Sequence, residues 1–255
     1  MPIPLPPLPI QKQIAAILEK ADAAREKRRQ ANHLTEQFLQ STFLEMFGDP
    51  VTNPKGWERR RLGDVITKVT NGYVGPTRVI YKETGIPYIL SKHIKGNRIL
   101  FDSKTFISDE FNQKNKKSIL KQGDVLLVQT GDIGQAAVVP KEHVGHNCHA
   151  LIVMSPVANV LNGTYLSHYL TSDAGIRQTE TIETGATLRH LNCHDVKELK
   201  IPVPPISEQQ RFAALVEKVE GLREKQRELE KELENLFNIL MQKAFRGELA
   251  SEESK

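Results

Sequence analysis

The chain has 255 residues, 39% hydrophobic and 26% charged, with a formal net charge of +4, enough for one large domain or for a smaller domain with extended helices. No run of about 18 apolar residues occurs, which excludes a membrane-spanning helix, and the start at Met1-Pro2-Ile3-Pro4 lacks a signal-peptide pattern. Cys148 and Cys193 are the only cysteines, which points to a reducing, cytoplasmic setting and away from a disulfide scaffold.

In chain order the sequence predicts a proline-rich lead-in over 1–10, a long helix over 11–47, a globular insert over 48–205, a second long helix over 206–246 and a polar tail over 247–255. Pro6, Pro7 and Pro9, like Pro204 and Pro205, are expected to stay outside the helices. Ser207 is the expected N-cap of the second helix, with Glu208 favourable in its first turn. Gly48 with Pro50 ends the first helix and Gly247 the second. Ile3-Pro4-Leu5-Pro6-Pro7-Leu8, Gln11 and Ala15-Ala16-Ile17-Leu18-Glu19-Lys20 return as Ile201-Pro202-Val203-Pro204-Pro205-Ile206, Gln209 and Ala213-Ala214-Leu215-Val216-Glu217-Lys218, at a constant offset of 198. Such a repeat indicates two like helices around a different kind of unit.

The second helix carries Phe212, Leu215, Val219, Leu222, Gln226, Leu229, Leu233, Leu236 and Leu240 in alternating steps of three and four. That is an a/d seam with one polar member, Gln226. Shifted back, the seam recurs as Ile14, Ile17, Ala21, Ala24, Arg28, Ala31, Thr35 and Phe38. The expectation is an antiparallel coiled coil, within one chain or across two. With flush ends, Arg28 meets Gln226 as a register-setting polar layer; the alternative is that Arg28 snorkels to solvent. Leu229→Asp or Leu233→Asp is expected to disrupt the pairing. Each helix runs roughly 35–40 residues, about 50–60 Å, or roughly one and a half turns of duplex DNA.

The insert reads as one mixed α/β domain, so the fold class is α+β. Candidate strands are 61–69, 87–90, 124–129, 135–139 and 150–154, with a helix near 163–173. Residues 50–205 hold 20 basic against 14 acidic residues, whereas 206–255 hold 9 against 11. The positive excess therefore sits in the insert and suits a phosphate backbone, although ordinary solubility explains it equally well. Four loops join flexible or polar residues to groups able to contact bases and phosphates: Asn71, Tyr73 and Arg78; Lys92, His93 and Arg98; Thr130 and Gln135; Thr187, Arg189 and His190.

No Gly-x-x-x-x-Gly-Lys-Ser/Thr phosphate loop, Asn/Asp-Pro-Pro-aromatic methyltransferase motif or glycine-rich cofactor turn is present. His143, His146, Cys148, His149, Cys193 and His194 are zinc-ligand types in spacings that match no common zinc module, so they read as ordinary polar or buried residues. Asp124 and Asp132, near Glu142, read as turn residues rather than as a nuclease centre. The chain is taken as non-catalytic.

Several motifs together resemble type I restriction–modification specificity subunits. Ile201–Gln210 before a coiled-coil helix resembles the opening of that family's conserved region, and Ala244-Phe245-Arg246-Gly247-Glu248-Leu249 its C-terminal signature. Leu44–Pro50 with Gly56-Trp57 and Leu62-Gly63-Asp64-Val65 is similar to the entry into a target-recognition domain. Gly85-Ile86-Pro87-Tyr88, Gly123–Leu127, Gly131–Gly134 and Gly185–Leu191 resemble its internal landmarks and exit. The resemblance covers nearly the whole chain. It implies a domain that reads one half of a bipartite double-stranded DNA site, and helices that act as a spacer and as a dock for modification and restriction subunits. S-adenosylmethionine, Mg²⁺ and ATP would bind those partners and not this chain. One recognition domain in place of the family's usual two implies a half-subunit, able to form a homodimer, or a fragment. A coiled-coil adaptor whose insert binds protein is the alternative.

Overall fold

The computed structural model describes residues 7–185 and 189–245, apart from the side chains of Asn32, Leu233, Leu236, Leu240, Ala244 and Phe245. In chain order the elements are α1 (Leu8–Phe47), β1 (Arg59–Arg61), β2 (Ile66–Asn71), β3 (Tyr81–Lys82), β4 (Ile86–Ile89), β5 (Ile94–Lys95), β6 (Arg98–Ile99), β7 (Phe106–Ile107), α2 (Asp109–Lys114), β8 (Val125–Val128), β9 (Ala136–Val138), β10 (Asn147–Cys148), β11 (Leu151–Pro156), α3 (Gly163–Leu170), α4 (Asp173–Thr181), α5 (Cys193–Glu198), β12 (Lys200–Pro202) and α6 (Ile206–Phe245). Residues 39–216 form one compact unit and the remainder of the long helices forms another.

In the first unit, β2, β11, β8 and β9 make an antiparallel sheet in that order. Its central strands read as continuous apolar runs because both faces are covered. Val125, Leu127, Ile152 and Met154 pack in one core with α3, Phe43, Phe47 and Phe212. Leu126, Val128, Leu151 and Val153 pack in a second core with Ile89, Ile94 and Cys148. A smaller sheet has the order β10, β4, β7, β3, with β10 parallel to β4. β1 and β12 pair antiparallel, with Arg60 opposite Ile201, so the strands that enter and leave the domain lie side by side.

The end of α1 satisfies its own last carbonyls. Lys55 Nζ donates to the carbonyls of Glu45 (2.9 Å) and Met46 (2.7 Å), and Trp57 Nε1 donates to that of Phe47 (2.9 Å). Gly48 follows at φ +78°, the left-handed C-terminal position that glycine fills without a Cβ penalty. Phe43, Phe47, Tyr165, His168 and Phe212 form a ring cluster with centroids 4.8–6.5 Å apart. Two starts differ from the sequence reading. Pro9 lies in the first turn of α1, where its missing N–H breaks no helical bond. Ser207 lies inside α6 and not at its cap, because α6 begins at Ile206.

In the second unit the helices run antiparallel within one chain, as Arg25–Glu234 (3.0 Å) and Arg28–Glu230 (3.2 Å) show. Ile14 is buried, and Ile17, Ala21, Arg28, Ala31 and Thr35 are half-buried, which fits the seam on α1; Ala24 is exposed. The partner of Arg28 differs from the flush pairing: Glu230 takes the place of Gln226, a shift of about one turn, and Gln226 is exposed. The seam on α6 also needs correction. Leu222 and Leu229 are 62% and 56% exposed, while Val219 and Arg223 are buried and Arg227 and Glu230 half-buried. A straight helix keeps 3.6 residues per turn, whereas a heptad seam needs 3.5 and drifts by about 20° per heptad. The covered positions Val219, Arg223, Arg227 and Glu230 step by four, four and three, close to the 3.6-residue period, and Leu222 and Leu229 fall off that face. The side chains of Leu233, Leu236 and Leu240 lie outside the described residues. Phe38, the last α1 seam position, is exposed; in the other unit Phe212 is fully buried and Leu215 is half-buried. Among the described residues no helix is long and apolar enough to cross a membrane.

Candidate nucleic-acid interface

Strand direction brings three of the four expected loops together. β11 is antiparallel to both β2 and β8, and β9 is antiparallel to β8. The exits of β2 and β8 and the entries of β9 and β11 therefore lie at one end of the sheet. Asn71 ends β2 opposite Ile152, and Gly72 N–H donates to Leu151 O at 2.8 Å. Gly72 is needed there, since a Cβ would stand 2.4 Å from the carbonyl oxygen of Cys148. Tyr73 bridges to His149, and its carbonyl accepts Ala150 N–H at 3.0 Å.

At the β8 exit, Thr130 bridges to His190, and His190 exchanges backbone hydrogen bonds of 2.9 and 3.0 Å with Thr184. Thr184 Oγ1 also lies 3.2 Å from His190 Nε2. Leu191 N–H donates to Gln129 O at 3.0 Å, which ties the 183–191 segment to the sheet end. Asn71 joins this corner from the other side, because Cys193 Sγ donates to its Oδ1 at 3.1 Å. Arg189 and His190 are exposed, with the Arg189 guanidinium 3.4 Å from Glu183 Oε2. Arg78 is exposed in the 71–78 loop, and Gln135 is half-buried at the entry to β9. Thr187 lies outside the described residues.

The fourth segment is placed differently. Gly96 and Asn97 both have positive φ (55° and 62°), the tight turn of the β5–β6 hairpin. Asn97 Nδ2 donates to Ser167 Oγ (2.8 Å) and Thr171 Oγ1 (2.9 Å) on and beside α3, which pins the hairpin. His93, expected at the surface, is instead 1% exposed. Its Nδ1 accepts Leu90 N–H at 3.1 Å and its Nε2 faces Asp102 Oδ1 at 3.1 Å. Burial lowers the pKa of His93 despite Asp102, so a neutral imidazole braces the turn. Lys92 is tied to Asp102 at 2.7 Å, a hydrogen bond that holds the carboxyl down at about 2. Arg98 is half-buried.

Four of the zinc-ligand-type and acidic residues named from the sequence are paired or buried here. His143 and His146 pair through Nδ1 atoms 3.1 Å apart, and Cys148 is fully buried, its thiol pushed up to about 12 by that burial. Asp124 is buried; it accepts Ser155 Oγ–H (2.6 Å) and Lys121 N–H (3.0 Å) and faces Lys68 Nζ at 3.7 Å. Among the described residues no three His, Cys, Asp or Glu side chains could hold a metal ion.

Sequence reasoning misses one neighbour of this edge. Phe111 of α2 packs edge-on against Tyr73 (5.1 Å), and the turn Lys116–Ser118 lies against β2. Lys114, Lys116 and Lys117 on this segment are exposed. The signal is three lysines in four residues, on a segment that carries no glycine.

The model of the "Type I restriction modification DNA specificity domain" family matches residues 54–235. The chain belongs to that family. It is 28% identical to the type I restriction enzyme MjaIX specificity subunit of Methanocaldococcus jannaschii, covering 98% of this chain and 61% of that protein. It is 25% identical to the EcoBI specificity subunit of Escherichia coli, covering 98% and 59%. A solved chain from a study of complex assembly and conformational transition in a type I restriction–modification system matches with a TM-score of 0.60 and 26% identity, over 96% of this chain and 61% of that one. A type I restriction–modification S subunit from M. genitalium, 16% identical with a TM-score of 0.53, over 92% of this chain and 59% of that one, shares the fold. The specificity-family chain thus spans about three fifths of the length of these relatives.

Proposed function

We propose that this chain is a non-catalytic DNA-specificity component of a type I restriction–modification complex. The reading rests above all on one observation: in a member of the DNA-specificity family, three separate loops meet at one end of the central sheet. Asn71, Tyr73, Arg78, Thr130, Gln135, Thr187, Arg189 and His190 belong to those loops and are the groups assigned to DNA. Arginine and asparagine can read base edges, while threonine hydroxyls and backbone amides hold phosphates. Residues 48–205 act as the recognition domain for one half of a bipartite site. The helices set its reach and dock modification subunits, which carry S-adenosylmethionine chemistry, and through them a restriction subunit with its Mg²⁺ and ATP.

A homodimer would supply the second reading head. Leu222 and Leu229, seven residues apart on α6 and more than half exposed, support that assembly as apolar positions open to a second copy. An identical pair reads a palindromic site, since protein two-fold symmetry mirrors the DNA.

Selection of bound sites from random duplexes, with the modification partner present, tests the function. A single enriched motif is expected, palindromic for the dimer. Equal binding of the selected and scrambled duplexes overturns the proposal.

A further inference from the structure

The segment Phe111–Ser118 has features that core packing does not require. Lys114, Lys116 and Lys117 lie within four residues and are all exposed, and none is paired with a carboxylate among the described residues. Lysines so close together repel one another, so an unneutralised cluster favours a polyanionic partner.

The cluster also stands on a rigid base. Asn147, fully buried in β10, donates through Nδ2 to Asn112 Oδ1 (2.9 Å) and to the carbonyl of Asn115 (3.2 Å). Its Oδ1 accepts Cys148 N–H at 2.8 Å. Asn112, 3% exposed, donates to Gly145 O (3.3 Å), and Asn115 Nδ2 donates to Phe111 O (2.9 Å). Ser108 Oγ caps α2 by accepting Phe111 N–H at 3.1 Å. Buried amides are costly unless fully bonded. Asn147 holds both Asn112 of α2 and the Asn115 carbonyl between the lysines, and Asn112 in turn bonds Gly145, which fixes the backbone under the lysines.

The location supplies the third argument. Phe111 touches Tyr73 and the Lys116–Ser118 turn lies against β2, so the cluster flanks the loop that starts at Asn71. Lys117 is among the cations acting on the Cys193 thiol, which is itself bonded to Asn71.

We propose that Lys114, Lys116 and Lys117 form a backbone clamp that holds DNA phosphates beside the converging loops, with no part in choosing the sequence. This rests on the DNA-binding reading above. Lysine ammonium groups are point charges without the fork geometry that reads guanine, so they position the duplex and leave the choice to the loops.

The test is a salt titration of the full chain, with its modification partner, on the selected duplex and on a scrambled one. K114Q/K116Q/K117Q is expected to weaken binding to both duplexes by the same factor, about tenfold or more at low salt. It should also lower the slope of log affinity against log salt by about 2–3, at roughly 0.9 for each phosphate no longer neutralised. Lysine-to-arginine replacement at the three sites should retain the wild-type slope. An unchanged slope in the glutamine variant, while the wild type still prefers its selected site, overturns the clamp. A changed preference ratio also overturns it, since the lysines would then be reading bases. Absence of any preference in the wild type is the separate failure of the functional proposal.

Discussion

The side-chain carbonyl of Gln209, in the first turn of α6, accepts the backbone N–H of Asn162 at 2.8 Å. Its Nε2 donates to Val160 O (3.0 Å) and Pro204 O (2.7 Å), and the residue is fully buried. One amide thus joins the start of α6 to the N-cap of α3. Gln209→Ala leaves one donor and two acceptors without partners, each costing about 1–3 kcal/mol when buried. A loss of about 3 kcal/mol or more is expected in urea unfolding of the full chain.

Phe212 is fully buried against Phe43, Phe47 and His168. Phe212→Ala removes the ring and leaves a cavity among these partners. The expected cost is about 3–5 kcal/mol, read as a lower denaturation midpoint with little change in its slope.

The helix pair gives a contrast in mutational response. Leu229→Asp is expected to leave the intrachain pairing and helical circular dichroism almost unchanged, because Leu229 faces out. Val219→Asp puts an unpaired charge at an 8% exposed position and should lower the melting temperature of the helical signal. Arg28 and Glu230 are partly solvated, with side chains 21% and 42% exposed. A double-mutant cycle on that pair should return a coupling of only about 0.5–1 kcal/mol, and the charge-swapped double variant should recover most of it.

Acid should weaken the recognition domain. Burial lowers His146 from 6.5 to about 4, with His143 adding to the effect. His93, His143 and His149 shift the same way, burial being the first cause in each. Between those limits the unfolded chain binds more protons than the folded one, so stability falls as pH falls. The imidazole contribution is complete above about 6.5 and declines towards about 4. Thermal melts should follow that profile, and His146→Gln should flatten it.

Arg189 is exposed on the loop that carries His190 to the sheet end. Arg189→Ala in the assembled complex should relax preference at one base position by about 5- to 150-fold, matching the roughly 1–3 kcal/mol of a bidentate base contact. Equal loss on selected and scrambled duplexes would assign it to phosphate.

Much of this architecture is legible from residues alone. Prolines and the repeat mark the starts of both long helices to within a few residues, and Gly48 marks the end of the first; the expected end of the second at Gly247 lies outside the described residues. Apolar runs mark β8, β9 and β11 because strands covered on both faces leave a compositional trace. One expected strand over 61–69 is two, β1 and β2, split by a tight turn at Leu62–Asp64. The two-residue strands β3, β5, β6, β7 and β10 have no period to detect. The leucines of α6 spell a heptad, whereas the covered positions Val219, Arg223, Arg227 and Glu230 follow the 3.6-residue period. For the interface, Asn71, Thr130 and His190 each stand out in their own loop. Their meeting depends on strand order, which no local pattern encodes. His93 shows the opposite failure, since a histidine in a basic loop gives no sign that Asp102 and burial will claim it.

The adjacency of β1 and β12 brings the two ends of the insert together. With Arg60 paired to Ile201, the polypeptide leaves the domain at the place where it entered. The insert is nevertheless fastened at more than this two-stranded clasp, because Tyr165 and His168 of α3 pack against Phe43 and Phe212 outside it, and Gln209 of α6 bonds Asn162 and Val160.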